Sequence, residues 1–115
     1  MTAHQNDLEA IIEVAADYLL IERRDVSALP NHLSLLFPDC PPLELTLCLA
    51  TLADLSETQL ALHAPKGLQL DLWRIASLIA VDVLVMQTLG LPWASSRDLR
   101  AYWKVYEPYF LLFEP

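Results

Sequence analysis

Apolar residues recur along this chain at helical rather than strand spacing, and that pattern alone predicts a succession of helices. Leu8, Ile11, Ile12, Ala15 and Leu19 fall on one face at i, i+3, i+4 intervals, with Glu9, Glu13 and Asp17 on the opposite one. Val14, Tyr18 and Ile21 widen the apolar side. The first helix is predicted to start near Asn6, which would cap it with Glu9 at the third helical position, and to run to about Arg24. From Val26 to Pro42, prolines at 30, 38, 41 and 42 break up any long element, because each removes a backbone donor and clashes with the preceding turn. A short helix over about Asn31 to Phe37 fits there. Pro41 and Pro42 then suit the first turn of a helix reaching about Ala53, where a fixed φ helps and a missing N–H costs nothing.

The stretch Leu43 to Leu49, LELTLCL, alternates apolar and polar residues as a strand would. It is assigned to the helix because it runs on into Ala50 to Ala53 without a turn residue and lacks the β-branched enrichment of strands. Ser56 with Gln59 resembles a capping box, which predicts a further short helix ending before Pro65. From about Leu68 to Leu89 the chain is apolar almost all round, with Asp71, Arg74, Ser77 and Asp82 projecting into one sector; such a helix belongs at the centre of a bundle. Ser95 or Ser96 caps a last helix, with Asp98 near its N-terminus, until Pro108 bends or ends it. The prediction is an all-α fold, a compact bundle of about five helices around a central apolar helix at residues 68–89, forming one domain over residues 1–115.

Composition sharpens this picture in one respect. Hydrophobic residues make up 55% of the chain and its mean hydropathy is +0.35, more apolar surface than a body of 13.0 kDa shelters easily. Part of it is expected to meet another molecule, and a homodimer is the simplest arrangement. The net charge of −8 opposes binding to phosphate backbones, so nucleic acid is not an expected partner. The charge is also uneven: residues 1–65 hold most of the acids, whereas residues 66–115 are balanced. A continuous acidic stripe in the first part would permit mimicry of nucleic acid. The most apolar run, Ile75 to Met86, is too short for a bilayer span and contains Asp82, so no membrane association is expected. No basic cluster precedes an apolar stretch at the start, and Cys40 and Cys48 lack any metal or redox spacing. Both cysteines read as buried free thiols of a cytoplasmic protein.

Few residues carry candidate chemistry. Glu9, Glu13 and Asp17 line one helix edge but have no histidine partner three residues on, as a di-iron bundle would require. His4, His32 and His63 lie far apart, without zinc-binding spacing. Cys48, His63 and Asp54 have the residue types of a nucleophile triad but no glycine-bearing elbow. Residues 49–63 faintly suggest a helix-turn-helix, yet the recognition helix SETQLALH has no Lys or Arg. With two glycines in the chain, nucleotide cradles are missing and no cofactor is expected.

Two features stand out from this background. Asp82 sits in the most apolar segment, where an unpaired carboxylate is costly, and it is a possible ligand anchor. The last part of the chain concentrates aromatics at Trp93, Tyr102, Trp103, Tyr106, Tyr109, Phe110 and Phe113, with Arg97, Arg100 and Lys104 at i, i+3, i+7 beside them. Aromatics with arginine are the material of protein interfaces. Trp93, Arg97, Arg100, Trp103, Lys104 and Tyr106 are therefore the expected partner surface. The functional expectation is a non-enzymatic protein–protein interaction module of adaptor, inhibitor, immunity or regulatory type. The alternative is a small-molecule-binding or catalytic bundle with an interior site near Asp82.

Overall fold

The computed structural model describes residues 3–58 and 66–113. Within them the fold is all-α, with five helices: α1 (Ala3–Ala16), α2 (Leu29–Leu36), α3 (Pro42–Thr58), α4 (Leu68–Thr88) and α5 (Ser96–Val105). No strand occurs among the described residues, and LELTLCL is part of α3. The Cα radius of gyration, 13.6 Å, is close to the roughly 13 Å expected of a compact chain of this length.

Several boundaries differ from those the sequence suggested. Helix α1 is already formed at Ala3, so Asn6 lies inside it rather than capping it. At its other end the helix widens into a π-helical turn, Asp17–Ile21, closed by the Glu22 N–H on the Asp17 carbonyl and the Arg24 N–H on the Tyr18 carbonyl. Arg23 takes a left-handed φ of 56°, the position where a glycine usually reverses the chain. A 3₁₀ turn (Val26–Ala28), capped by the Asp25 carboxylate, leads into α2, whose Pro30 sits in the first turn.

Helix α3 runs without a break through Ser56 to Thr58, and Ser56 is buried inside it. Ser56 is therefore not a cap: the continuous apolar face of α3 outweighs a local capping signal. The absence of a turn at Asp54 to Ser56 also leaves no helix-turn-helix there. The short helix expected after Ser56, with Gln59 and His63, lies outside the described residues.

The most extensive contact in the molecule is between α3 and α4. Leu45, Cys48, Leu49 and Leu52 of α3 are buried, as are Leu72, Ile75, Ile79, Val83 and Met86 of α4, the latter at the spacing of a helical stripe. Buried residues of all five helices join in one core cluster. Helix α4 is central on one side only. Its far side stays apolar and uncovered, with Leu70, Trp73, Leu78, Val81 and Leu84 between 41% and 62% exposed. A helix greasy all round can satisfy only as many faces as it has neighbours.

Helix α5 is positioned by its own cap and by a loop. Ser95 Oγ accepts from the Asp98 N–H while the Asp98 carboxylate accepts from the Ser95 N–H, a reciprocal capping box. The next two N–H groups, of Ser96 and Arg97, donate to the carbonyls of Cys40 and Pro38 in the α2–α3 loop, and Ser96 Oγ also donates to Cys40. The start of α5 is thereby fixed against the α2–α3 loop. After α5, a 3₁₀ turn (Pro108–Leu112) brings Phe110 back into the core.

Candidate functional site

The six residues expected at a partner surface are separated by the fold. Trp103 is 0% exposed, so its place is the core and not an interface. Its ring lies 5.1 Å from that of Phe110, and its Nε1–H donates to Asp82 Oδ2 at 3.0 Å. The amphipathic pattern of α5 turns Leu99, Tyr102 and Trp103 inward together. Trp93 and Tyr106 are exposed, Trp93 in the loop before α5 and Tyr106 stacked on Tyr102 at 5.5 Å. Tyr106 lines a shallow cleft with Leu91, Pro92 and Val105 on one flank of α5. Arg97, Arg100 and Lys104 line a different cleft on the flank facing α2.

Asp82 does not share the wet sector of Arg74. Arg74 pairs with Asp71 on the surface at 3.8 Å, while Asp82 is only 7% exposed, one turn from Ile79 and from Met86 on the buried stripe. Burial raises its pKa above the ordinary carboxylate range; the Trp103 hydrogen bond acts against that shift and the charge of Glu107 adds to it. Asp82 lies at the edge of a cleft of about 370 Å³ whose walls are Leu78, Val81, Tyr109 and Phe110, with Glu107 also on its lining. Trp103 is the one described hydrogen-bond partner of its carboxylate.

On the α2 side, Arg100 Nη1 donates to Asn31 Oδ1 and, at 3.1 Å, to Ser34 Oγ. Asn31 and Ser34 are both buried, and each is further fixed: Asn31 Nδ2 donates to the Phe113 carbonyl and Ser34 Oγ donates to the Asn31 carbonyl. Burial lowers the pKa of the Arg100 guanidinium from its ordinary value. Arg97 pairs with Asp39 at 3.0 Å in the open. Sequence reasoning found the three bases but missed Asn31 and Ser34, since nothing in the local pattern around Pro30 marks them as the seat of a distant arginine.

The remaining candidates carry little chemistry. Glu9, Glu13 and Asp17 are exposed along the first helix, and no group of three potential metal ligands occurs among the described residues. No described helix is long and apolar enough to cross a membrane. Cys48, the would-be nucleophile, is fully buried, and burial pushes its thiol up to about 12. The thiolate is the reactive form, so Cys48 is expected to resist an aromatic disulfide reagent in the native protein and to react on denaturation. Equal labelling rates in the two states would contradict its placement. No protein-family model matches the chain, and neither the curated proteins nor the solved structures contain a significant match to it.

Proposed function

We propose that this protein is a non-enzymatic interaction module, of adaptor, inhibitor, immunity or regulatory type, that pairs with a second copy of itself through the outer face of α4. The observation that carries this reading is the arrangement of the exposed stripe. Leu70, Trp73, Ser77, Val81 and Leu84 share that face, and all five are exposed. They are symmetric about Ser77: Leu70 and Leu84 are equidistant from it, as are Trp73 and Val81. Two copies laid antiparallel about a two-fold axis would set Leu70 on Leu84, Trp73 on Val81 and Ser77 on its mate, an isologous contact. A small residue at the axis permits close approach. Ser77 Oγ already donates to the Trp73 carbonyl within its own helix, so burying it leaves that hydroxyl proton satisfied. The stripe spans about 21 Å of helix, and fully burying each large apolar side chain is worth roughly 1.5–3 kcal/mol. Cys48, a fully buried thiol, supports a reducing compartment such as the cytoplasm.

Light scattering at micromolar concentration should give twice the 13.0 kDa chain mass for the native protein and the chain mass for Leu84→Glu, whose helical content should be unchanged. Ser77→Cys should form a disulfide-linked dimer on mild oxidation, and adding Leu84→Glu should prevent it. A native protein that stays monomeric, or a Leu84→Glu variant that stays dimeric, overturns the reading.

A second reading, small-molecule binding at Asp82, is favoured by the cleft of about 370 Å³ that reaches this buried carboxylate. It separates from the first by Asp82→Asn, which would abolish ligand binding and leave the oligomer intact.

A further inference from the structure

We infer that the cleft between α2 and α5 binds a phosphate monoester group through Arg97, Arg100 and Lys104. The cleft has a volume of about 280 Å³, and Ser34, Leu35 and Pro38 complete its walls. Three of the chain's seven bases meet there, on a protein whose net charge is −8. Two of them have no carboxylate partner among the described residues. Among the described residues Lys104 makes no ion pair, and Arg100 is tied down by neutral oxygens, those of Asn31 and Ser34.

This anchoring matters for recognition. Both bonds come from Nη1, so the guanidinium is oriented by buried residues while Nε and Nη2 remain available as donors. A partly desolvated cation satisfied only by neutral acceptors keeps its full charge, which an incoming anion would neutralise. Arg97 is already balanced by Asp39, leaving two positive charges on the cleft. A phosphate monoester, with about −1.5 to −2 charges and three acceptor oxygens, matches them, whereas a carboxylate would leave one cation over. The first backbone N–H groups of α5 are occupied by the carbonyls of Pro38 and Cys40, so the side chains must do the holding. A single cleft on an acidic chain offers no track for a nucleic-acid backbone. The site shares no residue with the outer face of α4 and does not depend on dimer formation.

The test is a titration of the full chain, followed by the Arg100 Nε–H resonance in ¹⁵N NMR, with phenyl phosphate and with benzoate as the monoanionic control. Phenyl phosphate should shift that resonance and bind about tenfold more tightly than benzoate. Arg100→Lys should weaken binding about tenfold, because a point charge cannot replace a planar donor fork. Lys104 is exposed and makes no described side-chain bond, so Lys104→Gln folds normally and should weaken binding several-fold. A phosphoserine peptide compared with phenyl phosphate identifies the source of the group: tighter peptide binding assigns it to a protein partner, weaker binding to a small ester. Equal affinity for benzoate, no shift at Arg100, or undiminished binding by Lys104→Gln overturns the proposal.

Discussion

Trp103→Ala should destabilise the domain by about 3–5 kcal/mol, the cost of emptying a buried aromatic site. Domains of this kind are stable by only about 5–15 kcal/mol, so the variant would lose a large part of its margin and its Tm should fall by more than about 10 °C. Two separate losses add up here. The ring packs on Phe110 in a fully buried position, and its removal leaves a cavity. Its N–H is the donor to Asp82, and its removal strands a buried carboxylate. Trp103→Phe separates the two, since it keeps most of the ring volume and loses only the donor, and it should cost less. Were Trp103 a partner contact instead, its alanine variant would lower the oligomer mass and leave the monomer's stability untouched.

The second large effect concerns the other end of the same bond, and its sign depends on the substitution. Asp82→Leu takes the acceptor away from a buried indole N–H and should cost about 1–3 kcal/mol. Asp82→Asn keeps an acceptor oxygen and removes the charge. Because burial raises the Asp82 pKa, the folded protein binds this proton more tightly than the unfolded chain does. Stability therefore falls as pH rises from the ordinary Asp pKa through the raised folded value, and the whole cost is present above it. Asp82→Asn should equal the native protein below the ordinary Asp pKa and exceed it near neutrality. Urea melts across that interval measure the difference. A gap between the two proteins that does not change with pH would mean that the charge is not what burial penalises.

Much of the fold was legible because helical periodicity and capping are local. The boundaries of α4 and the Ser95–Asp98 cap follow from side chains within a turn or two of each other. The local signals that failed were those opposed by a longer one: Ser56 looked like a cap, but the apolar face of α3 continues past it. The exposed stripe of α4 was implicit in a helix apolar on every side, although its symmetry about Ser77 shows only once the buried face is known.

The sequence by itself determined the helical class, the extent of the long apolar helix and the row of bases on α5, because each depends on residues a few positions apart. Only the tertiary structure decided that Asp82 and Trp103 meet 3.0 Å apart inside the core, and that Arg100 rests on Asn31 and Ser34 of a helix far away in the chain. The physical reason is that spacing settles which residues share a face of a helix, whereas which face is buried is settled by the neighbours it finds. On a helix as uniformly apolar as α4, several choices bury similar area, and the few polar groups that must find partners favour one of them.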